Sequence, residues 1–206
     1  MSVLKAGMET PWKIQLEMRR CFALPWARCY FAIHGVPWNR DWRMFGLPLI
    51  QRHRNSRIAI GPKLQMRNWF DSNPLGVKRR SVLATWAADA EIQIGQSVGI
   101  TGAAICAQTS IRIGDRVRLG ANCTIADTDF HPINAASRKT DPKAGVSRPI
   151  VIEDDVFIGM SVLILKGVRI GCGSVIGAGS VVAKDIPAGV VAAGNPARPI
   201  RELAES

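Results

Sequence analysis

A chain of 206 residues that is 47% hydrophobic has ample material for one packed domain. It has no run of 18 apolar residues, and its start, MSVLKAGMETPW, lacks the apolar core of a secretory signal, so neither a membrane-spanning helix nor export is expected. The formal charge of +11 is uneven: residues 1–57 hold ten Lys/Arg against three Asp/Glu, and four of the six Trp.

Residues 10–34 read as one or two amphipathic helices. Ile14, Met18, Cys21 and Phe22 fall on one face, with Lys13, Glu17, Arg19 and Arg20 toward the other. Pro25 is expected to break or kink the run. Gly35, Pro37, Gly46 and Pro48 make residues 35–57 a connecting loop. Residues 1–57 are therefore expected to cap whatever follows. The alternative is that Trp12, Trp26, Trp38 and Trp42, with the arginines, rest on an anionic membrane surface. No nucleic-acid motif accompanies the charge, so no nucleic-acid partner is expected.

Farther on, one aliphatic residue recurs every six positions: Ile152, Ile158, Ile164, Ile170, Ile176 and Val182. Neither a helix nor an alternating strand has that period. It belongs to a parallel β-helix of hexapeptide repeats, in which three hexads make one triangular coil. Ile94, Ile100 and Cys106 share the spacing, as do Ile113, Leu119 and Ile125, with a one-residue slip between the sets. The pattern predicts two coils over 94–129, two over 152–187, and a ragged earlier coil around Ile58 and Leu64. The domain division is then a cap at 1–57 and an all-β solenoid at 58–206. Cys106 and Cys123 fall on expected inward positions, where Cys acts as a small hydrophobe. Five cysteines without metal-like spacing suit a reducing compartment, and the cytoplasm is expected.

The repeat stops after Ile125 and resumes near Ile150. The intervening run, with Pro132, Pro142 and Pro149, cannot form a coil, so a loop at about 127–149 must protrude. It carries His131 beside Asp127 and Asp129. A neutral imidazole suits general-base work, and a carboxylate on its other ring nitrogen would fix the tautomer; spacing does not choose between the two Asp. A lone His does not make a zinc site, so no metal is expected. At the C-terminus, Gly177, Gly179, Gly189 and Gly194 allow close backbone approach, and Lys184, Arg198 and Arg201 supply positive charge, a combination suited to a phosphorylated ligand.

The hexads, DTDFHP at 127–132, VIEDDVFIG at 151–159, IGAGSVVAKDIP at 176–187 and AAGNPARPI at 192–200 together resemble the hexapeptide-repeat acyltransferases over residues 58–203. Residues 71–83, DSNPLGVKRRSVL, resemble the acetyltransferases of bacterial surface-polysaccharide synthesis. The resemblance implies a left-handed β-helix, a homotrimer with sites between subunits, acetyl-CoA as donor, and His131 as the base. It further implies cofactor contacts at Phe157, where many relatives have Trp, at Gly159 and Ser161 on the same coil, at Ala178 and Lys184, and at Arg198 and Arg201 on the phosphate side. Ala183 stands where Thr is common. The maltose and galactoside acetyltransferases bind their acceptors through Asn and Asp on the first coils. This chain reads ITGAAICAQTS at 100–110, so the resemblance does not carry their sugar over. The expected activity is acetyl transfer from acetyl-CoA to a hydroxyl of a sugar or glycan precursor. The alternatives are N-acetylation of an amino sugar or antibiotic-type acceptor, and a non-catalytic β-helix scaffold. The expected location is the cytoplasm, or the inner face of the membrane if the N-terminal segment touches lipid.

Overall fold

The computed structural model describes residues 9–203; residues 1–8 of the expected cap and 204–206 of the tail lie outside the described residues. A helix, α1 (Pro11–Ile33), is followed by nineteen strands, β1 (Arg43–Phe45) to β19 (Ala197–Glu202). The strands take the three sides of a prism in turn. Side A holds eight strands in the order β1-β4-β7-β10-β13-β16-β18-β19, side B six from β17 to β2, and side C five from β15 to β3. Every pairing between coils is parallel, and only β19 folds back antiparallel on β18.

The six-residue anchors are the core. Ile158 and Ile176 stack on side A, Ile164 and Val182 on side B, and Ile152 and Ile170 on side C, all within 1% of full burial. No single coil encloses these side chains, so each depends on the next for cover. The slip lies at Cys106. Ile105 pairs with Leu83 and Ile125 and points inward, which turns Cys106 outward and half-buries it. Cys123 is buried as expected.

The corners carry their own ladder. Lys63, Ser97, Arg116 and Asp155 occupy one corner, stacked coil on coil, all with φ near +60°. Such a conformation costs a non-glycine residue of order 1 kcal/mol. It turns each amide onto the preceding coil: Ser97 donates to Pro62, Arg116 to Gln96 and Asp155 to Asp115, at 2.8–2.9 Å. The position therefore tolerates Lys, Ser and Arg as well as the Gly, Asn and Asp that corners favour.

The prism begins earlier than the spacing indicates. β1 and β2 (Leu49–Arg52), from the segment expected to be a connecting loop, pair with β4 and β5 and start the first coil. Insertions at 53–56 and 68–81 break the six-residue count, which hides this coil from a periodicity search. Pro25 does not break α1, which runs unbroken from Pro11 to Ile33 and is held by buried Leu16, Ala27 and Phe31. Phe31, Trp38 and Trp42 pack at 5.1–5.6 Å between ring centroids, with Trp42 donating Nε1–H to the Gly61 carbonyl at 2.8 Å. These rings close the N-terminal end of the prism, with Trp42 buried and Trp38 half-buried against the core. The other end is covered by the β18–β19 hairpin.

Candidate active site

The protruding loop leaves the prism after β11 (Thr124–Ala126) on side B and returns at β12 (Ile150–Ile152) on side C. Its two stems pinch together: Asp129 donates its N–H to Val146, and Arg148 donates to Asp127. Beyond the pinch lies a short helix, α2 (Ala135–Thr140), capped by Asn134, whose side chain accepts from Ala136 and Ser137.

His131 sits at the mouth of the loop with its ring exposed. The amide of His131 donates to the Asp129 carbonyl at 2.7 Å across Phe130, whose φ is +61°. This is the strained form of the γ-turn, and an aromatic residue there is held by its surroundings. Two contacts hold it. Trp86 meets the Phe130 ring edge-on at 5.4 Å, and Gly145 presses on the Phe130–His131 peptide so closely that a Cβ would come within 2.8 Å of the His131 nitrogen.

The ring of His131 is oriented by backbone. Nδ1 lies 2.6 Å from the Pro142 carbonyl oxygen. A carbonyl only accepts, so Nδ1 holds the proton and Nε2 of the neutral ring presents its lone pair. The two candidate carboxylates are committed elsewhere, which corrects the expectation that one of them orients the imidazole. Asp127 is fully buried and accepts from the Gln108, Thr109 and Ser110 amides and the Thr109 hydroxyl, at 2.6–2.8 Å, fastening the loop to the preceding coil. Asp129 pairs through Oδ1 with Lys166 Nζ at 2.6 Å, and its Oδ2 is buried without a partner among the described residues.

The remaining expected residues fall into two groups. Phe157 points outward from β13 (Phe157–Ile158) on side A, half exposed and in register with Arg118. At the corner between sides A and B, Gly159 lies so close to the next coil that a Cβ would stand 2.6 Å from the Ala178 nitrogen. Ser161, at φ +56°, and Ala178 are exposed at the same corner. Arg198 and Arg201 are exposed on β19, at the end of side A. Lys184 is elsewhere: it lies two residues beyond the Val182 anchor, as Lys166 lies two beyond Ile164 and Asp127 two beyond Ile125, and so belongs to the B–C corner with the His131 loop. Neither Lys184 nor Arg201 makes an ion pair among the described residues. One chain thus carries His131 and Lys184 at one edge of side B, and Phe157, Gly159, Ser161, Ala178, Arg198 and Arg201 at or beyond the other.

Trp86, Phe130, Gly145 and Lys166 were not singled out from the sequence, and Pro142 stood out only as a residue that breaks the repeat. The hexad register identifies Lys166, since it repeats the position of Asp127. Nothing in the sequence marks a backbone carbonyl as the partner of His131.

Comparison with known proteins agrees with this architecture. The bacterial transferase hexapeptide family (six repeats) matches residues 149–184, and the hexapeptide repeat of succinyl-transferase matches residues 110–127. The galactoside O-acetyltransferase of Lactococcus lactis is 46% identical over 98 residues, which cover 48% of this chain and 46% of that one. The enzyme of that name from Escherichia coli is 49% identical over 94 residues, covering 46% and 45%. The chain therefore spans less than half the length of the curated relatives it matches. A galactoside acetyltransferase solved in complex with coenzyme A superposes with a TM-score of 0.53 at 35% identity, covering 68% of this chain and 64% of that one. A hexapeptide-repeat acetyltransferase from Vibrio cholerae, solved with acetyl coenzyme A, gives 0.50 at 27% identity over 76% and 71%. The molecule is a left-handed parallel β-helix of the transferase type. Its repeats at 110–127 and 149–184 resemble those of the hexapeptide-repeat transferases.

Proposed function

We propose that the chain is a CoA-dependent acetyltransferase that acetylates a hydroxyl of a sugar or glycan precursor, with His131 as general base. The observation that carries this reading is the hydrogen bond from His131 Nδ1 to the Pro142 carbonyl, which leaves the Nε2 lone pair of the neutral ring free at the mouth of an exposed loop. The likeness to galactoside O-acetyltransferases supports an oxygen acceptor.

The residues present fit a CoA chain. The Gly159–Ala178 backbone contact leaves no side chain between the two coils, the Phe157 ring offers a flat apolar surface beside it, and Arg198 and Arg201 lie exposed beyond, where phosphates would be met. When bound, acetyl-CoA supplies the acetyl group as a reactive thioester. Nε2 of His131 takes the proton of the acceptor hydroxyl as the new C–O bond forms and the C–S bond breaks, and returns that proton to the departing sulfur. General-base assistance of this kind contributes about 10²–10⁴-fold. The Asp129–Lys166 pair holds the loop stem, and Asp127 anchors it; neither need touch the substrate.

The separation of the two groups across side B supports a homotrimer. If three copies turn side B toward a common axis, the B–C edge of each meets the A–B edge of the next, and His131 of one copy then faces Phe157 and Gly159 of its neighbour. The outward residues of side B are suited to that burial: Leu49, Val82, Ala104, Thr124, Leu163 and Val181 carry no charge and only Arg79 reaches over this face, onto Thr124, whereas sides A and C present Arg43, Arg118, Arg57, Arg112 and Arg169.

The test is release of free thiol from acetyl-CoA across a panel of sugars, nucleotide sugars and amino sugars. Stimulation by a hydroxyl acceptor, with the ester identified by mass, bears the reading out. Stimulation by amino sugars alone would replace it with N-acetylation, and failure to bind CoA at all would point to a scaffold.

A further inference from the structure

The helix α1 has two opposite faces, and the apolar one that the sequence makes conspicuous is not the one that seals the prism. At 100° per residue, the buried Leu16, Ala27 and Phe31 share one side. Ile14, Met18, Phe22, Trp26 and Ile33 lie on the other, exposed by 48, 57, 78, 76 and 77% of their surface. Cys21, Pro25 and Cys29 fall between them and are also exposed. Gln15 is the one polar side chain in this sector. The stripe runs the length of a 23-residue helix, about 34 Å. Scattered exposed apolar residues need no explanation, but a continuous face of this length does.

The charges around it select the occupant. Arg28, on one flank of the stripe, and Arg40 and Arg54, near this end of the prism, make no ion pair among the described residues. Arg19, on the other flank of the stripe, stacks 4.0 Å over Trp69 and pairs with Asp71 at 3.5 Å, with its side chain half exposed. Residues 1–57 carry ten cations against three anions, so two such ends facing each other would repel. A second copy of the chain is therefore a poor cover for the stripe, and an anionic surface a good one. No helix among the described residues is long and apolar enough to cross a bilayer. An apolar helical face with cationic flanks and aromatic residues, too polar overall to span, is the composition of a helix that lies in the plane of the membrane interface.

We propose that α1 is an interfacial anchor that lays Ile14, Met18, Phe22, Trp26 and Ile33 into the surface of an anionic bilayer, while its opposite face closes the β-helix. Trp38 and Trp42 belong to the closure and take no part. The inference does not depend on the acetyltransferase reading. If the trimer forms as described, three parallel prisms direct their stripes to one plane, and the three weak contacts act together.

The experiment is co-sedimentation of the full chain with vesicles of phosphatidylcholine alone and of phosphatidylcholine with phosphatidylglycerol, at low and at physiological salt. A Phe22→Ser/Trp26→Ser variant is run beside it. Both side chains are exposed, so the variant is expected to fold, which its melting temperature checks. The expected result is binding to the anionic vesicles that weakens with salt and falls at least tenfold in the variant, with the particle size in light scattering unchanged. Wild-type protein left in the supernatant with anionic vesicles, or a variant that binds equally well, would overturn the proposal. A variant whose assembly falls apart would overturn it too, by showing that another copy covers the stripe.

Discussion

Replacing Asp127 by Ala separates a structural carboxylate from a catalytic one. Its two oxygens serve three amides and one hydroxyl at 2.6–2.8 Å, and the residue is fully buried. Bonds to a charged acceptor are worth roughly 1.5–3 kcal/mol each, and a buried donor left unpaired costs about 1–3 kcal/mol. Not all four losses add, because the Thr109 hydroxyl can rotate and a water can enter the space of the missing carboxylate. The net loss is then about 3–5 kcal/mol. For a chain of this size that is a fall of about 10 °C in melting temperature. Asn should lose somewhat less, since its oxygen still accepts but its amide meets donors. The assay is thermal unfolding followed by circular dichroism, with acetyl-CoA turnover measured at a temperature where the variant remains folded. A melting temperature within about 2 °C of wild type, with turnover abolished, would refute the structural reading and return Asp127 to the catalytic role expected from its spacing.

Gly145→Ala places a methyl group 2.8 Å from the His131 nitrogen and the Phe130 carbonyl carbon, both backbone atoms. Turnover should fall at least tenfold while the melting temperature moves by less than about 2 °C, because the loop is exposed and the core is untouched. Glu17 is partly buried, which opposes ionisation, but hydrogen bonds and charge from Arg20 and Arg43 outweigh that and hold its carboxyl below the usual 4.5. A depressed folded value means that its contribution is complete above pH 4.5 and disappears as pH falls through the lowered value. Glu17→Gln should therefore flatten the acid limb of the melting-temperature profile below pH 4.5. Subunit mixing tests the shared site: His131→Ala chains and Gly159→Trp chains, each inactive alone, should regain part of the activity when refolded together, and should regain none if each chain holds a complete site.

The solenoid was legible because its determinant is local and repeated. Ile152 to Val182 each face inward, as the spacing requires. The exception at Cys106 has a simple cause: Ile105 and Cys106 are adjacent, alternate residues of a strand point to opposite sides, and only the pairing with Leu83 and Ile125 decides which is inside. The aromatic N-terminal segment was ambiguous for a related reason. Four tryptophans look alike in composition, yet Trp42 is 1% exposed and Trp26 is 76% exposed. That difference arises from where the rings meet the first coil. His131 stood out because the loop interrupts a regular pattern. Its orienting partner did not, since the Pro142 carbonyl is a group every residue possesses.

The most direct test of the account is the pH dependence of acetyl transfer by wild type and His131→Ala with a single active acceptor. A wild-type rate that rises with pH in one step is expected, as catalysis by a general base requires. In His131→Ala that step should vanish and the rate at neutral pH should fall by about 10²-fold or more, with CoA still bound. A variant that keeps both the step and a near wild-type rate would contradict the assignment of His131 as the base.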